Sequence, residues 1–500
     1  MPRAAGTPPA AHFFASRAST AKVVIDSSAP GEANLSNPYQ NILRLATGDL
    51  ASKAMSFLAF VYLARILGVS NFGVLEFAGS ILTYMLVIAD GGLEMWGTRE
   101  TAKTADIPAL AARVVPLRLL LATASFAVLL LCLPLFPHYP KLRAVLVIYG
   151  LSVFAQAASL KWTFMGQQNM GRVARGLVAG QALFAVSVVA LIHSAAGLVW
   201  VPALRLAGDL ATTLYFGRWF RWVHGRVPWR MSLGGMHGIL KPAVTIGSSQ
   251  AMGLLNYNFD AVLLGFLRGA TVVGWYNAAY KLILAGVSFP IAYFAGLFPA
   301  LSHRYAANRD EFRELTRRTA GLWLAFVVPL VIEGTLFADH IIKLLYGAAY
   351  ANSATPFRIL LWSAALVVLR WVYMDSLRAT GHQALDLRCA IVSATLNVGL
   401  NIALIPRFGM IGAASATTIA DAVWFAMAFY YFRRAVLPGE GLPSCRGPLV
   451  GAAAMGAVLW LARPVVWPAR AVAGLAIYAA ALAAFGGSSV RQFYEMIRGK

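Results

Sequence analysis

Apolar stretches long enough to cross a bilayer recur along the whole chain, and this limits its fold more than any motif does. They lie at about 46–67, 73–96, 115–136, 143–165, 172–193, 197–219, 240–264, 275–299, 319–338, 355–377, 384–405, 411–433, 447–463 and 468–487. A hydrocarbon core about 30 Å thick takes roughly 20 helical residues. Lipid offers a backbone N–H or C=O no partner, so each stretch must bond internally as a helix. The sequence therefore predicts an all-α polytopic membrane protein of about 14 transmembrane helices. Composition agrees, with 59% hydrophobic residues and only 12% charged, about half the charge a soluble surface carries. Arg370 and the Arg463–Pro464 break interrupt the stretches that start at 355 and 447.

The charge balance, 42 Lys+Arg against 20 Asp+Glu, would suggest nucleic acid in a soluble chain. Here it follows the loops. With the N-terminus inside, alternate loops hold about 29 basic residues, including Arg172, Arg175, Arg218, Arg221, Arg226 and the Arg304–Arg318 group; the opposite loops hold about nine. That bias keeps phase through fourteen spans and predicts both termini in the cytoplasm. Residues 1–40 are polar and Pro-containing and lack a long apolar core before Pro38, which favours a disordered cytoplasmic tail over a signal peptide.

A shift of 201 residues lays Leu63–Gly73 (LARILGVSNFG) on Leu264–Gly274 (LGFLRGATVVG), matching Leu63, Gly68 and Gly73 to Leu264, Gly269 and Gly274. Both segments join an outgoing helix to a returning one, where glycine suits a tight turn. Gly197 to Asp209 and Gly409 to Asp421 also share one spacing. Six spans repeated in the same orientation predict two six-helix lobes in parallel pseudo-repeat, plus a C-terminal helix pair. The expected boundaries are 41–222 for the N-lobe, 223–239 for a cytoplasmic interfacial linker bearing Trp229 and Arg230, 240–436 for the C-lobe and 437–500 for the last two spans and C-terminus.

Charges within the spans are informative because each costs at least about 2.5–3.5 kcal/mol at a helix centre. The basic candidates are Lys53, Arg205, Lys281 and Arg370; the acidic ones include Asp49, Asp209, Asp260 and Asp421, with Asp90, Glu333 and Asp375. Asp49 and Lys53, like Arg205 and Asp209, stand four apart, where they can neutralise each other on one helix face. Lys281 and Arg370 have no acid at that spacing and must meet another helix, water or a ligand; Asp260 is a candidate partner for Lys281. Asp90 and Glu94 lie near a span end and fit an interfacial role. A water-filled cavity accounts for so many charges better than a scaffold does.

Other chemistries find little support. The histidines are scattered without an HExxH pattern, no GxxxxGK[ST] occurs, and Cys132, Cys389 and Cys445 are far apart. No catalytic residue, metal or cofactor is expected.

Leu63–Gly73, followed by Ala89–Glu100 (ADGGLEMWGTRE), resembles the opening of the polysaccharide-exporter flippases of the multidrug/oligosaccharidyl-lipid/polysaccharide exporter superfamily. Gly274–Lys281 (GWYNAAYK) and Asn401–Ala414 (NIALIPRFGMIGAA) extend the similarity over about residues 40–435. The resemblance implies two lobes that open alternately to cytoplasm and periplasm of a bacterial inner membrane. It implies an oligosaccharide carried on undecaprenyl pyrophosphate as cargo, with Lys53, Arg205, Lys281 and Arg370 as cavity cations for the headgroup. Asp49, Asp209, Asp260 and Asp421 would then couple an ion or balance charge. Implied partners are membrane lipids and, beyond the cargo, a glycan polymerase or glycosyltransferases, with no nucleic acid. Two alternatives stay open: a cation-coupled multidrug exporter of the same superfamily, and a non-transporting membrane component or enzyme of polysaccharide assembly.

Overall fold

The computed structural model describes residues 38–228, 236–441, 446–462 and 466–485, all within one compact unit, Asn37–Lys500. The expected tail up to residue 37, Trp229 and Arg230 of the linker, Cys445, the Arg463–Pro464 break and everything after residue 485 lie outside the described residues. Those described form helices and no strand. The N-terminal half comprises α1 (Pro38–Asp90), α2 (Leu93–Thr101), α3 (Ile107–Cys132), α4 (Leu142–Ala157), α5 (Lys161–Gly166), α6 (Met170–Leu191) and α7 (Trp200–His224). The C-terminal half comprises α8 (Met236–Leu267), α9 (Ala270–Ala307), α10 (Arg309–Leu336), α11 (Ala338–Tyr346), α12 (Ala354–Ala379) and α13 (Gln383–Tyr431). Two further helices follow, α14 (Arg446–Leu461) and α15 (Trp467–Phe485). Tyr478 of α15 donates its hydroxyl to the Ala325 carbonyl at 2.9 Å, and it packs with Phe337, Met455 and Leu459 to fix that pair against α10.

The longest helices are hairpins. A straight α1 of 53 residues would reach about 80 Å, well beyond a bilayer. Its backbone leaves helical geometry at Gly68 (φ 74°, ψ 167°). Lys281 Nζ lies 3.7 Å from the Phe60 ring centroid and 3.1 Å from Glu76 Oε2. Those two residues would be about 24 Å apart on a straight helix, so α1 doubles back at Gly68. In α13 the break is Gly409 (φ 55°, ψ −131°). A Cβ on Gly412 would stand 3.1 Å from Leu404 Cβ, where eight straight-helix residues span about 12 Å. Among the described residues seven helices are long and apolar enough to cross a membrane, or eight if the bent Ala270–Ile291 and Gly296–Ala307 pair is one span. Two of the seven, Thr47–Asp90 and Gln383–Val436, contain these fold-backs.

At the Gly68 and Gly269 turns the 201-residue match is also a match of backbone conformation and contact. Gly269 (φ 97°, ψ 161°) caps α9 in the conformation Gly68 adopts in α1. A Cβ on Gly73 would stand 1.7 Å from the Ala270 carbonyl oxygen, and one on Gly274 would stand 2.2 Å from that of Val69. Val69 and Ala270 are themselves related by the same shift, so the contact is one contact made twice, as a local two-fold axis requires. The second spacing match is weaker, since Gly409 has a positive φ and Gly197 lies in an ordinary 3₁₀ turn.

The halves meet at two ends. At the Gly68 end, Gly73 and Gly274 bring α1 and α9 into backbone contact. Nearby, the Phe77 and Phe266 rings pack edge to face at 5.4 Å, and the Tyr139 hydroxyl donates to the Gly265 carbonyl. Arg65 Nε donates to the Leu345 carbonyl at 2.7 Å, and the Tyr350 hydroxyl donates to that of Ala64 at 2.8 Å. At the opposite end, a Cβ on Gly92 would stand 2.1 Å from the Ala243 carbonyl oxygen, and one on Gly247 2.7 Å from Gly92 N.

Candidate functional site

Between these two closures a cavity of about 480 Å³ is lined by Lys53 and Phe60 of α1, Lys281 of α9, and Ser363, Thr417 and Asp421 of the C-terminal half. Each half thus contributes one lysine to a shared space. The Lys281 side chain is 22% exposed and that of Lys53 44%, and the hydroxyls and carboxylate of the lining replace part of their hydration.

All four predicted cations have an acidic partner. Lys53 pairs with Asp49 at 2.7 Å, and Arg205 with Asp209 at 3.3 Å, both along one helix face as their spacing predicted. Lys281 pairs with Glu76 of α1 at 3.1 Å rather than with Asp260. Arg370 pairs with Asp421 at 2.6 Å. Its guanidinium carbon lies 3.6 Å from the Trp424 ring centroid, and Ser363 Oγ donates to the other Asp421 oxygen at 2.5 Å.

These cations occupy three different surroundings. Lys53 and Lys281 line the central cavity; Arg205 lines a separate pocket of about 180 Å³ inside the N-terminal half, with Asp49, Gln181, Lys161 and Asp209. The Arg370 side chain is 1% exposed and packed inside the C-terminal half, with only its partner Asp421 reaching the cavity wall. A pair so enclosed holds helices together, because losing either member strands a charge.

Asp260 stands apart from the other three acids. It is buried, and among the described residues no Lys or Arg forms an ion pair with it. It accepts from the Tyr276 hydroxyl, from Ala261 N at 2.7 Å and from Thr417 Oγ1 at 3.5 Å. Asn397 Nδ2 donates to Thr417 Oγ1 at 3.4 Å and Asn401 Nδ2 to Asn397 Oδ1 at 2.9 Å, which leaves Asn401 Oδ1 buried without a donor among the described residues. This oxygen-rich chain crosses α8 and both arms of α13. No group of three His, Cys, Asp or Glu with metal-ligand geometry occurs among the described residues.

The sequence reasoning passed over Glu76, Arg118 and Lys161. Each is a charge inside an apolar stretch, so the criterion applied to the other charges would have found them. Arg118 of α3 lies 3.1 Å from Asp90 and 3.5 Å from Glu94, while Lys161 lies 2.6 Å from Glu94. Asp90 and Glu94 therefore belong to a four-charge cluster. That cluster borders a cavity of about 520 Å³ at the Gly92 end.

Long apolar helices, a turn that packs on its own copy across the two halves, and a cavity to which both halves contribute a lysine are the features of a multi-pass membrane transporter. Residues 39–304, more than half of the chain, match the polysaccharide biosynthesis protein family, and the chain belongs to that family. Residues 246–403 also match the MatE family. A protein of Escherichia coli (strain K12) named as an O-antigen transporter is 23% identical over 391 residues, covering 75% of this chain and 92% of its own. The Haloferax volcanii protein named as flippase AglR is 29% identical over 223 residues, covering 43% and 46%. Among solved structures, lipid II flippase MurJ in its inward closed conformation superposes with a TM-score of 0.73 at 12% identity, covering 88% of this chain and 98% of that one. An inward-facing multidrug MATE transporter gives 0.63 at 15% identity, covering 80% and 100%. The resemblance carried by Leu63–Gly73 and Ala89–Glu100 thus extends to family and fold.

Proposed function

We propose that the protein flips an oligosaccharide carried on undecaprenyl pyrophosphate across a bacterial inner membrane by alternating access, for cell-surface polysaccharide assembly. The observation that carries this reading is the pair of lysines, Lys53 and Lys281, that the two halves place in one central cavity. A pyrophosphate cannot enter hydrocarbon unsolvated, and two ammonium groups supply charge-assisted hydrogen bonds in place of water. An apolar cleft of about 390 Å³, walled by Pro290, Phe326, Leu330 and Leu361, shares Ile283, Val287 and Ala364 with the cavity. It gives an isoprenoid tail a path to lipid while the headgroup stays in the cavity. Proteins named as an O-antigen transporter and as a glycan flippase are relatives in keeping with such cargo.

The proposed topology has fourteen spans with both termini cytoplasmic, which puts the Gly68 end at the periplasm and the Gly92 end at the cytoplasm. Asp260, which has no basic partner among the described residues, is the proposed coupling carboxylate; Asp49, Asp209 and Asp421 balance charge. Membrane lipids, and a glycan polymerase or glycosyltransferases that make and use the cargo, remain its proposed partners.

The test is flipping of a fluorescent undecaprenyl-pyrophosphate oligosaccharide in proteoliposomes. A hydrogen bond to a charged group contributes about 1.5–3 kcal/mol, so Lys53→Ala and Lys281→Ala should each slow flipping about 10-fold to 150-fold. Wild-type flipping by both variants would refute the reading. The MatE match over residues 246–403 favours a second one, a cation-coupled exporter of small molecules. In that case a deletion strain would become drug-sensitive without accumulating lipid-linked glycan.

A further inference from the structure

The Glu76–Lys281 pair differs in kind from the other buried pairs. Among the ion pairs between described residues it alone joins the N-terminal half to the C-terminal half. Glu76 follows Gly73 by one helical turn and Lys281 follows Gly274 by two, so the pair sits just inside the backbone closure at the Gly68 end. The two side chains are placed unequally. Glu76 is 9% exposed and does not line the central cavity, whereas Lys281 is 22% exposed and does. The same ammonium lies over the Phe60 ring. Lys281 therefore stands at a boundary, with a carboxylate on one side and the cargo space on the other.

We propose that Glu76 is the resident anion that Lys281 exchanges for the cargo's phosphate, and that this exchange releases the closure at the Gly68 end. The proposal rests on the flippase reading and assigns Glu76 a positioning role within it. A pyrophosphate carries more negative charge than one carboxylate, and Lys53 attracts it from the other wall. Lys281 turning toward it leaves Glu76 enclosed without a counter-ion, among the costliest arrangements a protein interior can hold. Parting α1 from α9 at Gly73 and Gly274 admits water to Glu76 and relieves that cost. The empty carrier keeps its ion pair and stays shut; a cargo lacking the phosphate charge leaves the pair intact. Coupling then comes from differential stabilisation of two states, as any ligand-driven transition requires.

The test uses the full chain in phosphatidylethanolamine–phosphatidylglycerol liposomes, with Cys132, Cys389 and Cys445 replaced by serine and Val69→Cys as reporter. The native Val69 packs against Gly274. A membrane-impermeant maleimide reads whether the Gly68 end is open. Undecaprenyl pyrophosphate in the membrane should raise wild-type labelling about 5-fold to 150-fold, the usual range of coupling between sites. E76Q should label at the raised rate without that lipid and gain nothing from it. The charge swap E76K/K281E restores the tie, so it should label slowly and ignore the lipid; this variant carries the test if E76Q fails to assemble. Inorganic pyrophosphate is a second probe, and a rise with it also supports the exchange, since only phosphate charge is required. Slow E76Q labelling that the lipid accelerates as in wild type would overturn the proposal, as would a charge swap that still responds. Either result leaves the flippase reading standing, because that depends on flipping by Lys53→Ala and Lys281→Ala.

Discussion

Substituting Gly73 with alanine should wedge the Gly68 end apart, and the geometry sets the size of the effect. The added Cβ would lie 1.7 Å from the Ala270 carbonyl oxygen. Carbon and carbonyl oxygen settle at about 3.3 Å or more, so α1 and α9 must separate by about 1.6 Å. Both contacting groups are backbone, which cannot rotate aside. Overpacking of this kind costs about 1–3 kcal/mol, and a state already open at this end does not bear that cost. The balance between states should shift about 5-fold to 150-fold toward the open one. Spin labels at Lys141 and Lys343, exposed on the two halves at this end, would report it as a longer distance by pulsed EPR. Gly79→Ala is the control, since nothing lies within 4 Å of its Cβ position. Gly247→Ala, whose Cβ would meet Gly92 N at 2.7 Å at the other end, should leave the Lys141–Lys343 distance unlengthened. A Gly73→Ala distance distribution matching wild type, with flipping unchanged, would refute the claim that this glycine contact is a closure.

Arg370→Met should lower stability by about 3–5 kcal/mol by leaving Asp421 uncompensated, with Arg370→Met/Asp421→Leu recovering most of the loss. Thermal unfolding in detergent measures it, and a variant of wild-type stability that no longer flips cargo would instead give Arg370 a role toward the headgroup. Asp260→Asn should abolish the dependence of transport on an imposed proton or Na⁺ gradient while leaving cargo binding intact. Gradient dependence that survives the substitution would remove Asp260 from coupling.

How far the sequence could be read depended on how local each interaction is. A partner four residues away lies on the same helix face wherever the helix packs, and Asp49–Lys53 and Arg205–Asp209 pair accordingly. The glycine turns were equally legible, because positive φ is a local demand that the repeat states twice, at Gly68 and Gly269. Partners on other helices were not. Arg370 and Asp421 are 51 residues apart, and Glu76 and Lys281 belong to different halves. Only the packing of α12 on α13 and of α1 on α9 brings these charges together. The cost of an intramembrane charge therefore pointed to residues needing a partner without naming it. For the same reason Arg370, grouped by sequence with Lys53 and Lys281, turned out to be enclosed rather than in the cavity wall.

The two closures are built differently, and the difference sets an order of events. At the Gly68 end the Gly73–Gly274 contact is reinforced by an ion pair, by hydrogen bonds from Arg65 and Tyr350 to carbonyls of the opposite half, and by Phe77 against Phe266. The described contacts at the Gly92 end are backbone against backbone at Ala243 and Gly247, with Ile239, Leu240 and Ala243 of α8 packed on the apolar cluster around Leu93, Val115 and Trp162 of the N-terminal half. Among the described residues, the ion pairs at this end join Asp90, Glu94, Arg118 and Lys161 and lie within the N-terminal half. Backbone and apolar contacts of this kind part without separating an ion pair between described residues. Parting the Gly68 end of an empty carrier separates Glu76 from Lys281. The empty protein should therefore open first at the Gly92 end, the cytoplasmic end in the proposed topology. Cargo would enter there, and its phosphate would then displace the carboxylate that keeps the far side shut.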